Sequence, residues 1–163
     1  MGATYRIVVG VDGSEGGRRA FQWAVEHAAR VGGTVRAVTV WYWGATESAL
    51  LSGPGMDTVR ADAEAALADA VRSLRDFPGA PLALEAIEGR PARVLTRVAA
   101  DADMLVVGSH GHNRLYRAVL GSVSEECLRI ASCPVVVVPV PTYPGPDRLG
   151  QIMVSEVART TST

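Results

Sequence analysis

Only two cysteines, Cys127 and Cys133, occur in 163 residues. A disulfide framework is therefore excluded, and a cytoplasmic location is expected. Neither thiol sits like a nucleophile. Cys127 falls on an apolar helical stripe and Cys133 opens a strand, which suits small core or boundary residues. No apolar run approaches the roughly 20 residues that span a bilayer, so no membrane partner is expected. The opening Met1-Gly2-Ala3-Thr4-Tyr5 lacks the basic and apolar parts of a signal peptide. No long run carries charge of one sign, and the net charge is -1. Without a basic field, nucleic acid is not an expected partner. No Gly-Lys-Ser/Thr is present, which excludes a P-loop. The turn after the first strand, Gly10-Val11-Asp12-Gly13-Ser14, lacks the three close glycines of a dinucleotide fingerprint.

What is present is a hydrophobic share of 48%, enough for one domain with a substantial core. Tyr5 to Val11 reads as a strand whose centre, Ile7-Val8-Val9, is apolar without alternation, as in a sheet covered on both faces. Ser14 is placed to cap a helix that runs to about Val31, with Ala20, Ala24, Ala28 and Val31 on one side and Gly32-Gly33 as its stop. Val35 to Trp41 is the second strand. Residues 42–56 form a connection longer than usual, either a functional lid or a surface insertion. Asp57 to Phe77 has helical spacing through Val59, Ala63, Ala66, Leu67, Ala70 and Leu74. Leu82 to Ile87 is a strand whose Glu85 suggests the sheet edge. Pro91 suits the first turn of a short helix with Val94, Leu95, Val98 and Ala99 inward. Met104 to Val107 is the fourth strand. Leu115 to about Leu120 is a short helical stretch. Ser122 to Ala131 is helical, with a Ser122/Glu125 capping box and Val123, Cys127, Ile130 and Ala131 inward. Pro134 leads into the fifth strand, Val135 to Val138. Alternating strands and helices imply a parallel sheet with helices on both faces. The domain is expected over 1–141, and 142–163 is read as a tail or a dimerisation arm.

One constellation carries chemistry. Gly108 ends the fourth strand, Gly111 follows three places later, and nine residues separate Gly111 from Gly121-Ser122. Glycines let a ribose or phosphate approach the backbone, and amides around such turns and at a helix start hold phosphate oxygens. The competing reading is a pair of glycine turns and an ordinary cap. Ser122 has two competing uses, as a cap or as a phosphate contact. Asp12 would repel phosphate, so it belongs beside a base or ribose, or serves only the electrostatics of the helix terminus in its turn. Val40 is placed to offer backbone groups to a base edge, or is strand core. His110 and His112 are candidate phosphate contacts. They are too few for a metal shell, so Mg2+ or Mn2+ would be held through the phosphates.

With these motifs in their order, the chain resembles the universal stress protein family, in its ATP-binding subgroup. Val9-Gly10-Val11-Asp12-Gly13-Ser14, then Gly108, Gly111 and Gly121-Ser122, then Cys133-Pro134-Val135-Val136-Val137-Val138 carry the likeness, over about residues 4 to 139. The resemblance implies an α/β three-layer sandwich of the adenine nucleotide alpha hydrolase-like, Rossmann-like type. Its five-stranded parallel sheet would have the order 3-2-1-4-5. It implies bound ATP, with adenine near Asp12 and the backbone of Val40, and ribose near Asp12 and Gly108. Phosphates would lie along Gly111, Gly121 and Ser122. Gly10, Val11, Val107, His110, His112 and Val123 complete the implied nucleotide site. It also implies a homodimer, often through the last strand, here 135–138.

No clear general base stands beside the phosphate motif, where His110 is only a candidate, so no catalytic residue is assigned. The expected function is an ATP-binding, nucleotide-responsive regulator of stress or dormancy physiology with an unknown signalling partner. The alternatives are a slow ATPase and a dimeric scaffold or chaperone-like protein that binds no nucleotide.

Overall fold

The computed structural model describes residues 4–42, 55–72, 79–110 and 120–140. The elements run β1 (Arg6–Gly10), α1 (Glu15–Val31), β2 (Thr34–Trp41), α2 (Met56–Arg72), β3 (Leu82–Glu88), α3 (Pro91–Val98), β4 (Met104–Gly108), α4 (Ser122–Ile130) and β5 (Val135–Val138). All strand pairs are parallel, in the order β3-β2-β1-β4-β5. The expected order holds, and β3 is an edge strand.

Neighbouring residues of β1 face opposite layers, because strand side chains alternate. Ile7, Val9 and Val11 pack with Ala20, Phe21, Ala24 and Ala28 of α1 and with Leu67 and Ala70 of α2. Val8 packs with Val94 and Leu95 of α3, Leu105 and Val107 of β4, and Cys127 of α4. Both faces of β1 are thus buried, which is why it reads as an unbroken apolar run. Phe21 is fully buried, which by area is worth about 1.5–3 kcal/mol. On β3, Glu85 forms two hydrogen bonds of 2.7 Å with Arg36 of β2 at the solvated sheet surface. The carboxylate raises the Arg36 pKa, chiefly through that hydrogen bond.

The caps of α1 are as expected. Gly17 N donates to Ser14 Oγ at 3.0 Å. Gly32 ends the helix in the left-handed region at φ 67. Three details differ. Val31 is 46% exposed and Ile130 38% exposed, so neither faces inward. Each is the last residue of its helix. The Ser122/Glu125 capping box does not form. Helix α4 starts at Ser122 itself, with Gly121 as N-cap and no capping side chain. Ser124 is the buried hydroxyl there instead. The stretches 43–54, 111–119 and 141–163, with most of the lid, the 115–120 helical expectation and the tail, lie outside the described residues, as does Leu74.

Candidate nucleotide site

The site forms where β1 and β4 part. Their pairing ends at Val9↔Val106. Beyond it, β1 keeps to β2, with Gly10 opposite Val38 and Val11 N donating to Val38 O at 2.9 Å. In the same way β4 keeps to β5, with Gly108 opposite Val138 and Ser109 N donating to Val138 O at 2.9 Å. Such a reversal of strand order opens a crevice at the carboxyl ends of the strands. Here it is a cleft of about 360 Å3.

The lining residues expected from sequence come from four places along the chain. The first strand and turn supply Gly10, Val11 and Asp12, and β2 supplies Val40. The fourth strand supplies Val107 and Gly108, followed by His110. The start of α4 supplies Gly121, Ser122 and Val123. Every site residue expected from sequence that is described lines this one cleft. Gly111 and His112 lie outside the described residues.

Residues not foreseen are Gly17, Val38, Pro91, Leu95 and Ser124. Val38 is two places before Val40, so strand alternation was a usable signal for it. Pro91 and Leu95 are four apart on α3, and their wall position is hidden inside an ordinary apolar stripe. Ser124 carried no signal.

Asp12 is held by the turn after β1. Its Oδ1 accepts from Ser14 N at 3.0 Å and from Ser14 Oγ. The same Ser14 hydroxyl caps α1, so cap and carboxylate form one unit. Gly17 has no room for a side chain, since a β-carbon would stand 2.4 Å from Asp12 Oδ1.

Gly108 lines the cleft, but its missing side chain serves packing. A β-carbon there would meet the carbonyl carbon of Gly16 at 2.6 Å. The side of Gly108 on which a β-carbon would stand is taken by the start of α1, while Gly108 still lines the cleft.

Opposite Asp12, Gly121 N donates to Ser109 O at 2.8 Å, which docks the start of α4 on the end of β4. Ser124 Oγ donates to Gly121 O at 2.8 Å. The first-turn amides of a helix have no acceptor within it, and Gly121 brings no side chain to cap them. The positive end of the helix dipole therefore faces the cleft. Among the described lining residues there is no arginine or lysine, and Asp12 is the one carboxylate. Among the described residues no group of three His, Cys, Asp or Glu side chains could hold a metal ion. The cleft is lined by one carboxylate, Asp12, and by the first residues of α4, whose amides have no acceptor within the helix. That suits a neutral polar group joined to an anion.

The family model described as the universal stress protein family matches residues 4–139. A universal stress protein of Mycobacterium tuberculosis is 36% identical over 132 residues, covering 80% of this chain and 44% of the relative. The chain spans about half the length of the curated relatives it matches. Among solved structures, a universal stress protein from Lactobacillus plantarum is 26% identical, with a TM-score of 0.69 over 84% of this chain and 99% of that one. A universal stress protein in complex with cAMP is 24% identical, with a TM-score of 0.65 over 84% and 98%. A family protein from Arabidopsis thaliana with AMP bound is 21% identical, with a TM-score of 0.58 over 87% and 95%. These last two likenesses are of fold.

Proposed function

This chain belongs to the universal stress protein family, and on that premise we propose that the cleft between β1 and β4 binds an adenine nucleotide, with ATP the expected ligand. The observation that carries this reading is the meeting of Asp12 and the uncapped start of α4 across one cleft. Adenine and ribose lie against Asp12, Gly10, Val11 and the backbone of Val40. Phosphates lie against the amides of Ser122 and Val123 beside Gly121, with Val107, Gly108 and His110 between. Gly111 and His112 belong to the same proposal by sequence alone. Similar folds that hold cAMP and AMP support the ligand class. Mg2+ or Mn2+, when present, rides on the phosphates. It supplies charge neutralisation there that no lining arginine or lysine offers among the described residues.

The proposed role is a nucleotide-responsive regulator of stress or dormancy physiology in the cytoplasm, acting as a homodimer on a signalling partner. Asp12 Oδ1 is committed to Ser14. It faces the sugar side in this reading, so no carboxylate among the described lining residues is placed to activate water on a γ-phosphate. ATP turnover is therefore expected to be slow or absent.

The test uses freshly purified protein. Heat denaturation releases any bound nucleotide, which mass spectrometry identifies. Calorimetric titration with ATP, AMP and cAMP, with and without magnesium, covers a protein purified without ligand. Neither release nor binding of any of the three would leave a scaffold that binds no nucleotide. Steady phosphate release from ATP would make the protein an ATPase.

A further inference from the structure

We propose that Ser109 is a positioning residue of the cleft: its hydroxyl fixes His110 as the Nε2–H tautomer, and His110 Nε2 donates a hydrogen bond to an anionic oxygen of the bound ligand. This rests on the nucleotide reading above and adds one residue and one atom to it.

Ser109 is buried, and each of its polar groups is engaged. Its N–H donates to Val138 O at 2.9 Å, and its carbonyl accepts from Gly121 N at 2.8 Å and from Ser124 Oγ at 3.3 Å. Its hydroxyl accepts from Val140 N at 3.2 Å and lies 3.1 Å from His110 Nδ1. A backbone amide can only donate, so Val140 takes a lone pair of Oγ. The second lone pair could take an Nδ1–H, but the buried hydroxyl proton would then have no acceptor among the described residues, so full pairing of Ser109 gives that proton to Nδ1. A neutral imidazole that accepts at Nδ1 carries its proton at Nε2.

That Nε2 is buried and has no hydrogen-bond partner among the described residues. A buried donor without an acceptor is uncommon and calls for a group that completes it. His110 lines the cleft. Its Cα would lie 3.5 Å from a β-carbon on Gly121, the N-cap of the helix whose amides face the ligand. A phosphate oxygen at those amides supplies the acceptor. The bond is strengthened by the ligand's charge. Because Ser109 also holds the ends of β4, β5 and α4 together, the ring is oriented by the same frame that forms the cleft.

The experiment uses the full chain labelled with 15N-histidine. The sequence has three histidines, so a His110→Gln variant assigns the ring. Long-range proton–nitrogen spectra of the wild type are expected to show His110 as the Nε2–H form, and its Nε2 resonance should move on addition of AMP or magnesium ATP. Ser109→Ala should shift Nδ1 toward an unbonded value and weaken binding about tenfold. Ser109→Thr should restore both. His110→Ala, which leaves the backbone bonds of Ser109 in place, should weaken binding to the same degree. An Nδ1–H ring in the wild type would overturn the proposal. So would wild-type affinity in both Ser109→Ala and His110→Ala, with the nucleotide reading left standing. A wild-type protein that takes up neither nucleotide ends both readings.

Discussion

Gly16 and Gly108 meet backbone to backbone. A β-carbon on Gly108 would stand 2.6 Å from the Gly16 carbonyl carbon and 2.7 Å from its oxygen. From the other side, a β-carbon on Gly16 would stand 2.2 Å from His110 O. The first turn of α1 is thereby pressed onto the end of β4, and neither backbone can yield as a flexible side chain would. Gly16→Ala and Gly108→Ala should therefore destabilise the fold by about 1–3 kcal/mol, the usual range for overpacking. Urea unfolding reads the loss directly. Wild-type stability in both variants would show that α1 and β4 do not approach this closely. Gly121 is a contrast, since its nearest contact for a β-carbon is 3.3 Å. Its replacement by alanine should cost less.

Ser14 joins stability to the ligand site. Its Oγ accepts from Gly17 N and donates to Asp12 Oδ1. Ser14→Ala removes the cap of α1, typically worth about 1 kcal/mol. It also frees the Asp12 carboxylate from one of its restraints. The expected result is a comparable fall in unfolding free energy together with severalfold weaker nucleotide binding. Ser14→Thr keeps the hydroxyl and should recover both. A loss of stability with unchanged affinity would separate Asp12 from the ligand.

How much of this was legible before the structure depends on the range of the interaction. Ser14 and Gly32 act within one turn of their helix, and both caps were readable from residue type. The two-sided burial of β1 was equally plain in Ile7-Val8-Val9. The cleft residues were found because glycines and Asp12 stand at strand ends, where a parallel sheet opens. The failures are contacts between distant segments. Nothing local says that the space beside Gly108 is taken by Gly16, some 90 residues earlier in the chain. Nor does spacing distinguish Ser122 as N-cap from Ser122 as first helical residue. Gly121 N bonded to Ser109 O decides that, and it is a tertiary contact. Ser124 reads as a polar interruption of the helix until its carbonyl partners are seen.

Cys127 makes a prediction about reactivity and pH. Burial, and secondly the Glu126 carboxylate, push its thiol up from 9.0 to about 11. The folded state favours the protonated thiol. Its contribution is therefore fully present below the unfolded pKa, near 9, and is lost as pH rises toward 11. Stability should fall over that window, and Cys127→Ser should flatten this part of the curve. Iodoacetamide at pH 8 should leave native Cys127 unmodified and label it after unfolding, since the thiolate is the reactive form. Rapid labelling of the native thiol would mean that α4 opens readily from β4.

The edge strand β5 makes the last prediction. Pro134 O accepts from Leu105 N and Val138 O from Ser109 N, both toward β4. Ladder groups alternate in direction along a strand, so the N–H and C=O of Val135 and Val137 point to the open edge. An edge of four valines whose outward backbone groups have no partner strand among the described residues is a pairing surface unless something covers it. Under the proposed homodimer, a second copy supplies those partners. Val137→Pro removes an outward N–H and leaves the β4 bonds at Val138 and Pro134 in place. It should convert the dimer to a single-chain mass by light scattering, while circular dichroism keeps its α/β character. A Val137→Ala control should remain dimeric, because it keeps the backbone donor. If Val137→Pro stays dimeric and folded, the copies meet elsewhere and β5 is covered by other means. If the wild type is itself monomeric at micromolar concentration, the homodimer is lost from the proposed function, and the cleft, which elements of one chain build, is unaffected.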